Sequence, residues 1–284
     1  MYSAWIIEYA HAPYQPVGSL LSGRYNAGTR ELAFSFVLLK GEGHIVLIDL
    51  GTNGRDEETV RMHTRDGITN WQPPQKTLAR VGVHPEEVDT VFITHAHYDH
   101  IDNWAAFPNA QFIMQEDELM GWELILAQGN SRSNLCYAVK TDNIREARKL
   151  ATEGRMKLVR GKVQGVLPGI DLLPAYNGHT FASQYVVLHQ QGQEYAFIGD
   201  IAYVRENISG ENGDRAYIPV GLATGSATSQ FATYDEILNV VKGDLDRVII
   251  VHDPRNWTIY PSREYEDGLH IAEICAHGDD SIFH

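Results

Sequence analysis

Three histidines and one aspartate fall within seven residues in the run THAHYDH, which spans 94–100 and directly follows the apolar run VDTVFI. Imidazole nitrogen and carboxylate oxygen are ligands that zinc and similar divalent metals take in proteins. Because alternate side chains of a strand share a face, we expect His95 and His97 to point the same way. Asp99 and His100 follow where the strand should give way to a turn. The spacing therefore predicts two ligands for one metal and two for a neighbouring metal.

Three more candidate ligands stand at strand ends or in tight turns further along the chain. They are His179 in NGHT, Asp200 in FIGD and His252 in IIVHD. Together with the run THAHYDH they offer five histidines and two aspartates, enough for two metals that share a bridging carboxylate. The chain has 13 histidines but only two cysteines, so the expected ligands are imidazole and carboxylate. Two zinc ions are the expected cofactors, and manganese, cobalt and iron also suit such a site.

The bulk composition is that of an ordinary globular protein, with 284 residues, 43% hydrophobic residues and a mean hydropathy of −0.28. The formal net charge of −14 disfavours a nucleic-acid partner, because a polyanion would be repelled. No apolar run reaches about 18 residues, so we expect no membrane span. The run MYSAWIIEYAHAP lacks the basic region of a signal peptide. Cys136 and Cys275 lie far apart, and the cytoplasm is the expected compartment.

Apolar runs rich in β-branched and aromatic residues are mixed with amphipathic segments throughout the chain. The predicted strands span 31–39, 44–50, 88–95, 110–115, 184–189, 195–200 and 247–253. The predicted helices span 75–82, 116–129, 143–154 and 233–243, each closed by a glycine. Several strands are wholly apolar, which implies burial on both faces. We therefore predict an α+β protein with two packed β-sheets and helices outside them.

No linker rich in proline or serine divides the chain, so we predict one domain over 1–284. Two long segments rich in glycine and bearing aromatic residues, 10–30 and 205–231, are predicted to be active-site loops. Within them, Tyr25 and Tyr217 are candidate pocket walls.

The motifs HAHYDH, GHT, GD and HD, in that order, resemble the metallo-β-lactamase superfamily of dinuclear metal hydrolases over residues 30–262. The resemblance implies an αββα sandwich of two mixed β-sheets flanked by helices. It also implies that one metal is held by His95, His97 and His179. The other metal is then held by Asp99, His100 and His252, and Asp200 bridges the two.

Two positions argue against a true β-lactamase. Those enzymes usually lack a histidine at the position of His100, and many carry cysteine where this chain has Asp200. The nearer resemblance is to the N-acyl homoserine lactone lactonases, because the run GDIAYVREN places Tyr203 three residues after the bridging aspartate. The related 4-pyridoxolactonases share this layout.

The lactonase resemblance implies that a metal-bridging hydroxide attacks the carbonyl carbon of a small lactone and opens the ring. In this interpretation Tyr203 donates a hydrogen bond to the carbonyl oxygen, and Asp99 carries a proton to the leaving alkoxide. The implied partner is a small-molecule lactone or ester. Homodimers are common among such relatives.

Other functions use similar ligands on the same fold. Glyoxalase II-like thioesterases, phosphodiesterases, iron-dependent oxidoreductases and hydrolases of other small esters or amides are the alternatives. Tyr203 favours the lactonase interpretation, and the acidic charge disfavours cleavage of nucleic acid. A metal-stabilised scaffold without activity is a third hypothesis, which the full set of candidate ligands disfavours.

Overall fold

The computed structural model describes residues 1–283, and its strands form two β-sheets. The strands are β1 (Tyr2–Pro16), β2 (Thr29–Gly41), β3 (His44–Ile48), β4 (Thr90–Phe92), β5 (Gln111–Gln115), β6 (Met156–Val159), β7 (Val163–Leu167), β8 (Ile170–Tyr176), β9 (Ala182–Gln190), β10 (Gln193–Phe197), β11 (Val248–Ile249), β12 (Ser262–Glu264) and β13 (His270–Cys275). The larger sheet has the order β12-β13-β1-β2-β3-β4-β5-β6, and the smaller has β11-β10-β9-β8-β7. Both sheets are mixed, since β3 and β4 pair in parallel, as do β10 and β11.

Nine α-helices accompany the two sheets within residues 1–283. They are α1 (Val17–Leu20), α2 (Glu57–Asp66), α3 (Pro74–Ala79), α4 (Tyr98–Ile101), α5 (Glu116–Ala127), α6 (Thr141–Thr152), α7 (Glu206–Ser209), α8 (Ala227–Val240) and α9 (Asn256–Ile259). Short 3-10 helices occupy Pro85–Glu87, Trp104–Ala106, Gly129–Cys136, Gly199–Ile201 and Leu245–Arg247. Among residues 1–283, no helix combines the length and the apolar character that crossing a bilayer requires.

Three clusters of buried apolar side chains define the layers. Phe92 and Val186 belong to the cluster between the two sheets. Trp122 of α5 lies in a second cluster on the outer face of the larger sheet. Tyr185 and Ile237 belong to a third, where α8 covers the smaller sheet. Each large side chain buried in this way contributes about 1.5–3 kcal/mol, so all three interfaces hold the sandwich together. The predicted αββα arrangement is confirmed.

The predicted loop at 10–30 is wrong over its first part, where β1 continues to Pro16 and α1 follows at once. Proline argues against a central strand because it cannot donate to the ladder. Pro13 is tolerated because β1 pairs with β13 only at Ala4–Ile7, and the pairing with β2 is irregular around Pro13. The irregular part therefore shrinks to 21–28.

The second predicted loop, 205–231, is interrupted by α7 and merges into α8 at Ala227. All seven predicted strands and all four predicted helices have counterparts, although several differ in their bounds. The sequence pattern does not predict β1, β6, β7, β8, β12 or β13. Several of these are short or carry polar residues on the exposed face, so their apolar signal is weak. The assignment of 1–284 to one domain stays a prediction.

Candidate metal centre

The run THAHYDH leaves the larger sheet at the end of β4 and enters α4. The prediction that His95 and His97 lie on a strand is wrong, because residues 93–97 are irregular and β4 has already ended. Their side chains nevertheless converge, with ring centroids 4.6 Å apart. Asp99 and His100 follow in the first turn of α4, so the turn brings all four side chains to one edge of the sandwich.

The first group of converging side chains is His95, His97, His179 and Asp200, all buried, with ligand atoms within 4.8 Å of one another. Nε2 of His179 lies 3.2 Å from Nε2 of His95 and 3.0 Å from Nδ1 of His97. A tetrahedral zinc site with bonds of about 2.0–2.1 Å to nitrogen separates neighbouring ligand atoms by about 3.3 Å. The first group therefore has the size of a metal site.

The second group is Asp99, His100, Asp200 and His252, whose ligand atoms also lie within 4.8 Å of one another. Oδ1 of Asp200 lies 3.0 Å from Nε2 of His100 and 3.1 Å from Nε2 of His252. Oδ2 of Asp99 lies 3.4 and 3.6 Å from the same two nitrogens. The other oxygen of Asp200, Oδ2, faces the first group at 3.5 and 3.6 Å. Asp200 thus presents one oxygen to each group.

Two of the rings are oriented by hydrogen bonds from the nitrogen that points away from the centre. Nδ1 of His179 lies 3.0 Å from the carbonyl oxygen of Leu222, and Nδ1 of His252 lies 2.6 Å from that of Ala33. A carbonyl only accepts, so each Nδ1 carries the proton and donates. With the proton on Nδ1, a neutral ring directs the lone pair of Nε2 to the centre, which is how an imidazole binds a metal.

Asp49, which the sequence analysis did not single out, orients two further rings. Nδ1 of His100 donates to Oδ2 of Asp49 at 2.7 Å. The hydroxyl of Thr94 donates to the same oxygen at 2.8 Å and so accepts from Nδ1 of His95 at 3.0 Å. Asp49 has a φ of 67°, a left-handed conformation that costs a non-glycine residue about 1–3 kcal/mol. Its position at the end of the apolar run HIVLIDL is the signal that could have identified it.

The placement of Asp200 depends on the glycine before it. Gly199 begins the 3-10 helix Gly199–Ile201 with a φ of 52°. A Cβ atom at this position would lie 2.7 Å from the Thr94 hydroxyl oxygen, which is too close. Glycine therefore lets the chain pass beside Thr94 and turn Asp200 between the two groups.

The donor set fits two divalent cations. The outward hydrogen bonds leave the lone pairs of His95 and His179 facing each other across 3.2 Å, which is repulsive without a positive charge. Oδ1 of Asp200 is buried and accepts no well-formed hydrogen bond within residues 1–283. A cation in each group would satisfy these atoms, and imidazole with carboxylate is a set that zinc takes.

The ionisation states of three rings of the first group and of Asp200 also fit bound divalent cations. Burial lowers the pKa of His97 to about 3, and it lowers the pKa of His95 and His179 as well, so these rings are neutral at neutral pH. Burial acts against charge at Asp200 too, but the imidazoles of His100 and its neighbours outweigh it and hold the pKa of that carboxyl well below its usual value. The shared aspartate is therefore ionised.

Glu118 of α5, also absent from the sequence prediction, joins the two halves of the first group. It is fully buried, and burial raises the pKa of its carboxyl. Oε1 accepts from the Ala96 amide at 3.0 Å and from Trp122 Nε1 at 2.8 Å. Oε2 accepts from the Thr180 hydroxyl and the Ala182 amide, both at 2.8 Å. Glu118 thereby fixes the chain beside His95 and His97 against the chain beside His179.

Replacing Glu118 by alanine is expected to lower the free energy of unfolding by about 3 kcal/mol or more, because four buried donors lose their acceptor. Urea denaturation measures the loss. Glu123→Ala is the matched control, since Glu123 lies on the same helix and pairs with the partly exposed Arg148. The Glu123→Ala change should lower the free energy of unfolding by less than about 1 kcal/mol. Equal losses in the two variants would contradict the role given to Glu118.

A cavity of about 420 Å³ opens beside the two groups, within the range of small-molecule sites. Tyr203 lines it, with its ring centroid 5.5 Å from that of His179 and 5.8 Å from that of His252. Burial and the nearby carboxylates of Asp200 and Asp99 raise the pKa of Tyr203 well above its usual value. The phenol therefore stays protonated and can donate a hydrogen bond into the cavity.

The predicted active-site segments contribute unequally to the cavity. The segment 10–30 supplies Tyr14, Gln15, Pro16, Ser19 and Leu20, whereas 205–231 supplies only Leu222. Tyr25 and Tyr217 are not pocket walls, and that prediction is wrong. Tyr25 is 78% exposed, and Tyr217 packs against Phe231 and Tyr234 instead.

One wall of the cavity is polar and comes from residues that carry no recognisable sequence signal. Asp66 accepts hydrogen bonds from the hydroxyls of Tyr98 and Tyr137 at 2.8 and 2.7 Å. Arg65 pairs with Asp66 at 2.7 Å and stacks 3.6 Å above the Tyr137 ring. Apolar side chains also line the cavity and form an apolar wall of Leu20, Leu32, Phe34 and Leu222. The cavity therefore suits an amphipathic small molecule.

An αββα sandwich with two His/Asp groups that share one carboxylate defines the class of metallo-β-lactamase-fold proteins. The family model of the metallo-beta-lactamase superfamily matches residues 29–252, so the chain belongs to this superfamily. No curated protein matches the chain at the significance required.

Several solved structures share the fold at low sequence identity. A variant of AiiA from B. thuringiensis, with N-decanoyl-L-homoserine bound at the active site, is 20% identical with a TM-score of 0.67 over 90% of this chain and 95% of that one. The hydrolase AbOPH is 18% identical with a TM-score of 0.67, over 98% and 95%. AidC, described as a dizinc quorum-quenching lactonase, is 16% identical with a TM-score of 0.63, over 94% and 92%. The resemblance to the superfamily and to its lactonases is confirmed at the level of the fold.

Proposed function

We propose that the protein is a dinuclear metal-dependent hydrolase that opens the ring of a small lactone, with an N-acyl homoserine lactone as the expected substrate. The observation that carries the proposal is the position of Asp200, whose two oxygens face two separate groups of imidazoles beside a cavity. In this proposal the first metal is held by His95, His97 and His179. Asp99, His100 and His252 would hold the second, and Asp200 would supply one oxygen to each. Zinc is the proposed metal.

When bound, two divalent cations supply an activated water near neutral pH and polarise the carbonyl of the substrate. The side chains of the protein then place the substrate and move its protons. Tyr203 lines the cavity beside both groups and keeps its proton, so it donates a hydrogen bond to the carbonyl oxygen as negative charge develops there.

Asp99 is the proposed proton carrier. Its carboxylate lines the cavity and is 11% exposed, so it is the most accessible carboxylate of the two groups. Burial opposes its ionisation, but the imidazoles of His100 and His252 outweigh burial and keep the pKa of Asp99 below its usual value. An ionised Asp99 accepts a proton from the attacking water and returns it to the alkoxide that leaves as the ring opens.

The amphipathic cavity supports this choice of substrate. The apolar wall of Leu20, Leu32, Phe34 and Leu222 suits an acyl chain. The polar wall suits the amide that joins an acyl chain to a lactone ring. AiiA and AidC, whose solved structures contain N-acyl homoserine products, share the fold and add to this support.

Both cysteines are free thiols, which agrees with the proposed cytoplasmic location.

The polar wall also favours a second candidate. Arg65 and Asp66 form a charged pair that lines the cavity. A substrate that offers only a long acyl chain would cover this pair without hydrogen-bonding to it. A compact substrate with polar substituents would contact this pair better. The alternative is therefore hydrolysis of another small cyclic or linear ester, amide or thioester, as in 4-pyridoxolactonase-like or glyoxalase II-like enzymes.

A panel of substrates separates the two candidates. The zinc-loaded protein is mixed with N-acyl homoserine lactones, an aryl lactone, a linear ester and a thioester, and proton release is followed with a pH indicator. We expect the largest kcat/KM with an N-acyl homoserine lactone. A larger value with any other compound would transfer the function to that class while keeping the metal chemistry.

The apolar wall can be tested through Leu222, whose side chain lines the cavity while its backbone carbonyl holds His179. Leu222→Asn should raise KM about tenfold for an N-decanoyl homoserine lactone and much less for an N-butanoyl one, because the long chain loses apolar contact. Leu124→Asn, at a 62% exposed position of α5, is the control and should change neither value. An equal rise with both substrates would show that Leu222 does not contact the acyl chain.

A further inference from the structure

A third group of potential ligands, Glu8, His11 and Glu31, lies on β1 and β2 and shares no residue with the two groups above. The ligand atoms of its three members lie within 4.8 Å of one another. Glu8 and His11 are three residues apart, so a regular strand would place them on opposite faces. A register shift between Glu8 and Ala10 breaks the alternation and returns both side chains to one face. The bulge in β1 therefore assembles this group.

Glu8 is the buried member of the group and has one oxygen with no partner. Its side chain is 1% exposed. Oε2 accepts hydrogen bonds from the backbone amide and from Nδ1 of His270, at 2.8 and 2.9 Å. Oε1 has no hydrogen-bond partner among residues 1–283 and lies 3.8 Å from Nδ1 of His11. The carboxylate is thus fixed by His270 and directs its free oxygen towards His11 and Glu31.

The charge and polarity around Glu8 and Glu31 also favour a bound cation. Within residues 1–283, neither Glu8 nor Glu31 has a lysine or arginine at ion-pair distance. Ser35, the cross-strand partner of Glu8, is buried and its hydroxyl likewise has no partner. His270 pairs with Oε2 of Glu8 at 2.9 Å, but Oε1 stays unsatisfied, and a buried polar atom without a partner is costly. Two carboxyl groups and an imidazole are donors that divalent metals such as zinc take.

We propose that Glu8, His11 and Glu31 bind a third divalent metal ion, with Oε1 of Glu8 as the buried ligand. His270 acts from outside the ligand set by holding the opposite oxygen of Glu8, and Trp257 stacks on its ring at a centroid distance of 5.2 Å. Glu31 is exposed and His11 is 24% exposed, so water completes the coordination on the outer side. The ion links β1 to β2 where β1 runs on towards the cavity wall.

Zinc stoichiometry tests the proposal. The untagged protein is stripped with a chelator, loaded with Zn²⁺, desalted and analysed by plasma mass spectrometry beside two variants, His11→Ala and Glu31→Gln. Both positions reach solvent, so the variants should fold. We expect each variant to bind one equivalent less than the parent protein while its hydrolytic rate stays unchanged. His189→Ala, an exposed histidine beside Asp171, is the control and should bind as much as the parent.

The difference in zinc content between the parent and these variants does not depend on zinc at the dinuclear centre. Failure of the third-site proposal is therefore distinguishable from failure of the proposed hydrolase function. Thermal unfolding gives a second measure, since Zn²⁺ at 100 times its Kd stabilises by about 2.7 kcal/mol. With the Asp200→Ala change in each background, Zn²⁺ should raise Tm more in the protein that keeps His11 than in the His11→Ala protein. Equal zinc content in the parent and both variants would overturn the third site.

Discussion

Replacing Asp200 by asparagine is expected to lower zinc content from two equivalents to less than one at the dinuclear centre and to reduce kcat/KM by more than about 100-fold. Changing a partner outside the ligand set already costs about 10–100-fold in such sites. Asp200 faces both groups, and its ionised oxygens lie 3.0–3.6 Å from four imidazole nitrogens. A neutral amide supplies one acceptor oxygen and no negative charge, so the zinc affinity of both groups should fall together.

The Asp200→Asn experiment is read by plasma mass spectrometry and by initial rates on the same preparations, in the His11→Ala background to exclude the third site. Asp142→Asn is the control, because Asp142 is 77% exposed on α6 and pairs with the exposed Arg145. It should leave both readings unchanged. Full zinc content in the Asp200→Asn protein would contradict a bridging aspartate.

Replacing Tyr203 by phenylalanine should lower kcat about 100-fold and leave zinc content and KM almost unchanged. Removing one hydrogen-bond donor to a developing oxyanion costs about 100- to 1,000-fold in other enzymes. The phenylalanine ring keeps the contacts with His179 and His252, whose centroids lie 5.5 and 5.8 Å away. Only the hydroxyl is lost, so the effect should fall on the chemical step.

Tyr185→Phe is a matched control for the Tyr203 experiment. Tyr185 is fully buried and its hydroxyl has no partner among residues 1–283, but it lies in the cluster between the smaller sheet and α8. Its replacement should change neither kcat nor zinc content. Loss of zinc on changing Tyr203, or an unchanged kcat, would remove Tyr203 from the mechanism.

The convergence of the seven candidate ligands could be predicted from the sequence because their residue types are rare in this combination. Five imidazoles and two carboxylates converge from loops, turns and short helices. The elements with strong periodicity, such as α5 and α6, are predicted to within a few residues. A periodic apolar face and a closing glycine are local signals, and the sequence contains them directly.

The supporting residues could not be predicted because their roles depend on distant parts of the chain. Glu118 reads as one acidic residue among several at the start of α5, and only the fold brings it to Ala96 and Ala182. The cavity wall around Arg65 and Tyr137 comes from separate segments without a motif. Pro13 argues against a strand over the second part of β1, and it is tolerated only because of how β1 pairs with its neighbours.

The central claim is that the two groups around Asp200 hold metals that open a lactone. The most direct measurement is proton release from N-hexanoyl homoserine lactone by the chelator-stripped protein, before and after Zn²⁺ is restored, with Asp200→Asn in parallel. We expect no release from the stripped protein, recovery with zinc, and no recovery in the variant. Release that needs no metal, or none from the zinc-loaded protein, would contradict the account.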